Sequence, residues 1–265
     1  MNINGILAAA LSLGALGFLF AVLLGYASKK FEVKVNPKIS LIKDVLPGAN
    51  CGGCGFAGCD AFATAVVEEG ANPAGCSVGG AKVSGEIGAI LGVEVVQGDK
   101  KVAFVKCNGT CDKAKDKYEY TGIRDCRNAA AAIGEGQKAC SYGCLGFGTC
   151  VIACEFGAIT VENGVAVINE EKCTSCGACT KVCPKALIEI IPMSKRVRVA
   201  CSSKEFGKSV KDNCSVGCIG CSLCARSCPE NAIIMDGKLA RVDYDKCIEC
   251  KACIEKCPTK AINLR

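Results

Sequence analysis

The hydrophobic and polar positions divide the chain into one long apolar run followed by many short segments. Residues 6–26 carry no charged side chain and consist mostly of Ile, Leu, Ala, Val, Phe and Gly. As a helix, these residues at about 1.5 Å each would span about 31 Å, the hydrocarbon thickness of a bilayer. No basic residue precedes the run, as a signal peptide would need. Lys29, Lys30 and Lys34 follow it, so we expect one permanent, single-pass anchor in the cell (inner) membrane, with the bulk of the chain on the cytoplasmic side.

Beyond the anchor, the pattern predicts short helices and hairpins. Residues 60–69 have the pattern of a helix that ends near Pro73. Residues 158–168 and 232–242 alternate apolar and polar positions around Glu-Asn-Gly and Asp-Gly turns, which predicts two β-hairpins. Residues 81–100 are expected to form a short packed segment. The pattern as a whole indicates an α+β chain.

The cysteine content changes this picture. The chain has 265 residues and 25 Cys, an odd number, in a chain much longer than the small secreted domains that depend on disulfides. Most cysteines fall in tight runs that can converge on one metal centre. There is no His, which removes haem and Rieske ligation through His and the usual His general base. Zinc held by four cysteines remains an alternative.

The formal charge of +6 treats the thiols as neutral. A [4Fe–4S] cube on four thiolates carries roughly −2, so six cubes would bring the charge to roughly −6. A nucleic-acid partner is therefore not expected. Aromatic residues make up only 5%, so bound clusters would have to organise the interior.

A four-cysteine module follows the anchor. Its spacing is C-x2-C-x4-C-x16-C, and glycines between the ligands would let the backbone fold tightly around a cube. The candidate ligands are Cys51, Cys54, Cys59 and Cys76.

The C-terminal half contains an internal repeat. Eight cysteines recur 74 positions later, from the pair Cys140 and Cys214 to the pair Cys183 and Cys257. Eight matches at one offset indicate one unit used twice. The run C-x2-C-x2-C-x3-C occurs at 173–183, 218–228 and 247–257.

This run resembles the motif of bacterial two-cluster ferredoxins, in which three cysteines hold one cube and the fourth holds its partner. The resemblance implies two cubes in the second unit, on Cys218, Cys221, Cys224 and Cys257 and on Cys247, Cys250, Cys253 and Cys228. In the first unit it implies one on Cys173, Cys176, Cys179 and Cys154.

The other cube of the first unit lacks a ligand, because Phe147 occupies the position that matches Cys221. The remaining candidates are Cys144, Cys150 and Cys183, and we expect Cys140, the nearest in sequence, as the fourth. A sixth cube could use Cys107, Cys126, Cys201 and Cys214, with Cys111 as the spare. The alternative is that these cysteines are small buried hydrophobes.

The order of segments resembles the B subunit of the Rnf complex, an ion-translocating (Na⁺ or H⁺) ferredoxin:NAD⁺ oxidoreductase of bacterial membranes. An anchor is followed by Leu-Pro-Gly-x-Asn-Cys-Gly-x-Cys-Gly-x-x-Gly-Cys at 46–59, and then by ferredoxin-like segments. The stretches Cys107-Asn-Gly-Thr-Cys and Tyr142-Gly-Cys-Leu-Gly resemble cysteine-rich versions from anaerobes.

The resemblance implies a single anchor at 1–30, a [4Fe–4S] module at 31–100 and two tandem ferredoxin-like domains at 101–196 and 197–265. It implies that soluble ferredoxin delivers electrons, which pass to membrane and peripheral subunits carrying flavin and NAD. We expect no flavin or NAD on this chain and no catalytic residue, so it is part of an enzyme without a complete active site of its own. The alternatives are a membrane-tethered polyferredoxin serving a hydrogenase or other reductase, and a zinc-binding scaffold.

Overall fold

A computed structural model of the chain describes residues 3–31, 36–96 and 98–265. Helix α1 (Ile3–Lys30) contains the apolar run and ends in Lys29 and Lys30, while Lys34 lies outside the described residues. Its segment Leu11–Lys30 has a mean hydropathy of 1.9, is not buried by any of the described residues, and is long and apolar enough to cross a membrane. The predicted apolar helix is confirmed.

A small helical layer follows the anchor. It consists of α2 (Pro37–Val45), α3 (Cys59–Thr64) and α4 (Gly80–Leu91). Helix α3 runs on into a π-helical turn (Ala65–Glu69), which confirms the helix predicted at 60–69, and Pro73–Gly75 forms a 3₁₀ turn. The apolar faces of these helices meet in one core around Ile42, Phe62 and Ile87, because each helix is too short to be stable without packing.

The rest of the chain builds the same strand arrangement twice. In the first half, β1 (Lys101–Val105) pairs with β4 (Ile188–Pro192), and β2 (Ile159–Glu162) pairs with β3 (Val165–Ile168). In the second half, β5 (Val197–Val199) pairs with β8 (Ile262–Leu264), and β6 (Ile233–Asp236) pairs with β7 (Leu239–Val242). All four pairs are antiparallel, and β2–β3 and β6–β7 are the two predicted hairpins. We call these halves the first and second units.

Short helices lie between the strands of each unit. The first unit contains α5 (Cys126–Ala131), α6 (Thr149–Ile152) and α7 (Ala178–Val182). The second contains α8 (Gly207–Asn213), α9 (Leu223–Arg226) and α10 (Ala252–Glu255). Helices α6, α7, α9 and α10 each carry one buried cysteine facing its unit's core.

A buried arginine joins the two units. Arg198 on β5 is only 1% exposed and forms an ion pair with Glu170 of the first unit. Its guanidinium lies 5.4 Å from the ring centre of Phe104 on β1, and Arg265 lies 5.7 Å from the same ring. The Phe104 ring therefore contacts two cations of the second unit, which strengthens the contact between the units.

Candidate metal centres

The cysteines gather into six groups of four. All 25 lie in the described part of the chain and are free thiols. Set 1 is Cys51, Cys54, Cys59 and Cys76; set 2 is Cys154, Cys173, Cys176 and Cys179; set 3 is Cys126, Cys144, Cys150 and Cys183; set 4 is Cys107, Cys140, Cys201 and Cys214; set 5 is Cys218, Cys221, Cys224 and Cys257; set 6 is Cys228, Cys247, Cys250 and Cys253.

Set 1 is shaped by the loop before α3. Asn50 adopts a φ of 47° and its side-chain oxygen accepts a hydrogen bond from the Cys59 amide at 2.8 Å. The Cys76 sulfur accepts one from the Gly79 amide at 3.4 Å. These contacts help to direct all four cysteines of set 1 towards a single cavity. They are the four cysteines that the spacing grouped.

The loop of set 1 also touches the first unit. A methyl group at Gly53 would lie 2.9 Å from the Cα atom of Cys176, so only glycine allows this approach. Sets 1 and 2 are therefore neighbours across a backbone contact.

Sets 2 and 3 exchange cysteines across α6 and α7. Helix α6 carries Cys150 of set 3 and is followed by Cys154 of set 2. Helix α7 carries Cys179 of set 2 and is followed by Cys183 of set 3. The second unit repeats this exchange between sets 5 and 6 through α9 and α10.

Backbone amides point at the exchanged sulfurs. Cys154, Cys183 and Cys228 each accept an N–H···S hydrogen bond from the residue four positions later, at 3.4, 3.5 and 3.2 Å. Such donors stabilise negative charge on sulfur and help to set a cluster's potential.

Set 3 differs from the grouping expected from the sequence, since the structure places Cys126, and not Cys140, with Cys144, Cys150 and Cys183. The Asp125 side chain caps α5 through the amides of Arg127 and Asn128 and accepts a hydrogen bond from the Thr149 hydroxyl at 2.8 Å. The same hydroxyl accepts from the Cys126 amide at 2.8 Å, which holds Cys126 beside Cys150. Distance along the sequence does not identify this member of set 3, because hydrogen bonds through Asp125 and Thr149 bring Cys126 to it.

Set 4 differs from its expected grouping in the complementary way, because it contains Cys140 where Cys126 was expected. The first unit supplies Cys107 and Cys140, and the second supplies Cys201 and Cys214. Cys107 and Cys201 each lie two residues after the first strand of their unit, at Val105 and Val199. Set 4 is thus built at the boundary between the units, from matching positions of each.

Set 4 is hydrogen-bonded to both neighbouring sets in the same way. The Cys144 amide of set 3 donates to the Cys107 sulfur at 3.4 Å. The Cys218 amide of set 5 donates to the Cys201 sulfur at 3.2 Å. Cys144 and Cys218 are repeat partners, so the two links are equivalent contacts of the two units.

Cys111 belongs to none of the sets. It is exposed, and its amide donates to the Asn163 carbonyl at the β2–β3 turn. Among the 24 cysteines of the six sets, Cys250 of set 6 is the exposed one.

The geometry fits a group larger than one ion. The cysteines of sets 1, 2, 3, 4 and 6 each line a cavity of their own. Among the described residues, no three His, Cys, Asp or Glu side chains are arranged to hold a single metal ion. A zinc site would need four sulfurs about 2.3 Å from one ion. Thiols spaced around a cavity suit the corners of an iron–sulfur cube.

The protein environment opposes thiolates in the absence of a cation. Burial raises the pKa of Cys150 to about 12, and the neighbouring Cys144, Cys126 and Cys183 add to the rise. Burial likewise raises the pKa values of Cys179 and Cys224 to about 11. Because thiolates are the metal ligands, the positive charge of iron would have to offset this cost.

Sequence reasoning missed two buried cations, Arg198 and Lys138. Lys138 is 2% exposed and lines the cavity of set 4. Neither has a sequence signal, because solvated lysine and arginine side chains are the usual outcome.

Comparisons with known proteins agree with this arrangement. Residues 46–78 match a family model described as an Fe-S cluster, 166–189 match a 4Fe-4S binding domain, and 217–261 match a 4Fe-4S dicluster domain. These matches cover sets 1, 5 and 6 completely and sets 2 and 3 in part.

Relatives match nearly the whole chain. The B subunit of an ion-translocating oxidoreductase complex of Methanosarcina acetivorans is 47% identical over 96% of both chains. The B subunit of a Na⁺-translocating ferredoxin:NAD⁺ oxidoreductase complex of Acetobacterium woodii is 43% identical over 92% of this chain and 73% of its own. The B subunit of a proton-translocating ferredoxin:NAD⁺ oxidoreductase complex of Clostridium ljungdahlii is 44% identical over 86% and 81%. With iron–sulfur family matches at the cysteine sets and this similarity along the chain, the protein belongs to the Rnf family of B subunits of ion-translocating oxidoreductase complexes.

Proposed function

We propose that this chain is the iron–sulfur electron-transfer subunit of a membrane-bound, ion-translocating ferredoxin:NAD⁺ oxidoreductase. It would accept electrons from reduced ferredoxin and relay them to partner subunits that hold flavin and the NAD site. Bound [4Fe–4S] clusters would supply one-electron transfer, and the residues of the chain would hold, space and shield them. The observation that best supports this proposal is that the six cysteine sets adjoin one another from set 1 to set 6.

The protein contacts between sets support a continuous row. Set 1 meets set 2 where Gly53 approaches Cys176. Sets 2 and 3 share α6 and α7, and sets 5 and 6 share α9 and α10. Amide-to-sulfur hydrogen bonds link set 4 to Cys144 on one side and to Cys218 on the other. Set 4 would thus make one row out of two pairs.

The strand pairs and the anchor helix also support a division into domains. We propose an anchor at 1–30, a [4Fe–4S] module at 31–100, and tandem ferredoxin-like domains at 101–196 and 197–265. The strand pairs support this, because each pair lies within one proposed domain. The basic end of α1 supports an anchor in the bilayer with the remaining chain on the cytoplasmic side.

Set 6 is the proposed entry point for ferredoxin. It stands at the opposite end of the row from the module that follows the anchor, and its Cys250 is exposed. A cluster near the surface can exchange electrons with a soluble partner without bond chemistry in either protein.

Replacing Cys250 and Cys201 separately by Ala in the full complex tests the function. Ferredoxin-dependent NAD⁺ reduction by anaerobic membranes should fall to background in both variants, because Cys250→Ala removes the entry point and Cys201→Ala interrupts the row. Cys111→Ala is the matched control and should keep the wild-type rate. Unchanged rates in a Cys201→Ala complex whose set 4 is shown to lack iron would overturn the proposal, as would co-purification with a hydrogenase instead of an NAD-reducing complex.

A further inference from the structure

Lys138 lies in the loop before Cys140 and is buried on all sides. Its ammonium donates hydrogen bonds to the Gly109 carbonyl at 2.7 Å and to the Gly164 carbonyl at 2.8 Å. The same lysine therefore ties together the segment after Cys107, the β2–β3 turn and the loop that leads into sets 3 and 4. Carbonyl contacts solvate an ammonium group but do not neutralise it.

The lysine side chain runs between set 3 and set 4. It lines the cavity of set 4. A methyl group at Gly143, the residue before Cys144 of set 3, would lie 3.7 Å from its Cδ atom. Gly109, whose carbonyl it binds, is so close to set 4 that a methyl group there would lie 3.5 Å from the Cys214 sulfur.

In the part of the chain that the structure describes, no carboxylate pairs with Lys138. A fully buried lysine normally requires a partner of opposite charge. The thiols of set 4 line the same cavity as Lys138, and Cys144 of set 3 follows Gly143 beside the lysine stem. These thiols become anionic when they ligate iron.

We propose that Lys138 is the shared countercharge of sets 3 and 4 and that it holds the reduction potentials of the clusters bound there above those they would otherwise have. This inference rests on the proposed function, since it requires clusters on these sets. Reduction adds one negative charge to a cluster, so a fixed positive charge nearby stabilises the reduced state. Burial excludes the water that would screen this interaction.

One acidic residue acts in the opposite direction. Glu205 also lines the set 4 cavity, and its carboxylate accepts a hydrogen bond from the Ser209 hydroxyl. It is only half-buried, so its effect is smaller than that of Lys138. Removing this carboxylate should raise the potential of the set 4 cluster alone.

The test is an anaerobic redox titration of the full chain with dithionite as reductant, followed by electron paramagnetic resonance. In Lys138→Gln, two clusters should become harder to reduce by at least tenfold in the equilibrium constant, about 59 mV for a one-electron couple. Lys138→Arg keeps the charge and should titrate like the wild type. Lys115→Gln is the matched control. The Lys115 side chain is exposed, and its backbone carbonyl accepts a hydrogen bond from the amide of Ala139, the residue after Lys138.

A second background assigns the shift to individual sets. In Cys201→Ala, which should lack the set 4 cluster, Lys138→Gln should shift one cluster instead of two. Glu205→Gln should move one cluster of the otherwise native chain in the other direction.

Each outcome separates this inference from the proposed function. Unchanged midpoints in Lys138→Gln with full iron content would overturn the countercharge, while a colourless wild-type preparation would overturn the proposed function. If Lys138→Gln loses iron from both sets while Lys138→Arg retains it at native potentials, the charge is required and the proposal stands. If Lys138→Arg also loses that iron, Lys138 is only a structural clip and the proposal fails.

Discussion

At the scale of single residues, the exchange of Cys126 and Cys140 shows where spacing stops being informative. Both cysteines lie outside the repeated four-cysteine runs, so only their three-dimensional neighbours can assign them. Asp125 and Thr149 place Cys126 in set 3 through short hydrogen bonds. Phe147, at the position where set 3 lacks its expected ligand, packs against Tyr120 at 5.3 Å between ring centres.

Paired cysteine substitutions test this assignment. Cys126→Ala and Cys150→Ala should each remove about four irons, and the double variant should also lose about four, because both residues hold one cluster. The double variant of Cys140 and Cys150 should lose about eight, because these residues serve different sets. Native mass spectrometry of anaerobic protein gives the count, with Cys111→Ala as the control.

The opposite pattern would restore the interpretation based on sequence proximity. In that case the Cys140 and Cys150 pair would lose about four irons, and the Cys126 and Cys150 pair about eight.

At the scale of elements, the repeat forces close backbone contacts at equivalent glycines. Gly146 and Gly220, 74 positions apart, have φ values of 75° and 68°. A methyl group at Gly146 would lie 2.6 Å from the Gly164 carbonyl oxygen, and one at Gly220 would lie 2.8 Å from that of Lys238. Each glycine lets a cysteine loop rest directly on the turn of its hairpin.

Gly220→Ala should therefore be more destabilising than an alanine placed at a strained but open turn. Gly237, in the β6–β7 turn, has a φ of 61° and no neighbour within 4 Å of an added methyl group. We expect a loss of about 3 kcal/mol for Gly220→Ala and about 1 kcal/mol for Gly237→Ala. Anaerobic thermal unfolding measures both, and equal losses would show that the close contact costs nothing.

The local elements were predictable, whereas the pairing of distant ones was not. The anchor helix, the helix at 60–69 and both hairpins follow from periodicity and turn residues within the segment itself. The pairs β1–β4 and β5–β8 join strands far apart in the chain, and β5 is only three residues long. Such short strands carry too little pattern to identify a partner. Set 1 groups the cysteines that spacing grouped, and sets 2, 5 and 6 group those that the resemblance to two-cluster ferredoxins implied.

At the scale of the whole molecule, one buried ion pair contributes to the contact between the units. Arg198 loses nearly all contact with water, while the side chain of its partner Glu170 stays 28% exposed. Removing the arginine would leave a carboxylate without its cation and the Phe104 ring without one of its two neighbours. No comparable constraint acts on the exposed pair of Arg241 and Asp236.

Arg198→Met should destabilise the chain by about 2–4 kcal/mol, which corresponds to a fall of about 5–10 °C in Tm. The matched variant Arg241→Met should cost less than about 1 kcal/mol. Anaerobic calorimetry compares the two. If the two variants have the same Tm, the buried ion pair does not hold the units in place.

The central claim concerns the number of clusters, because a continuous row requires set 4 to be filled. The most direct measurement is the iron content of the full chain after anaerobic purification, by native mass spectrometry. Six clusters predict about 24 irons per chain, and Cys201→Ala should carry about 20. A wild-type chain with about 20 irons and no loss in Cys201→Ala would contradict the account.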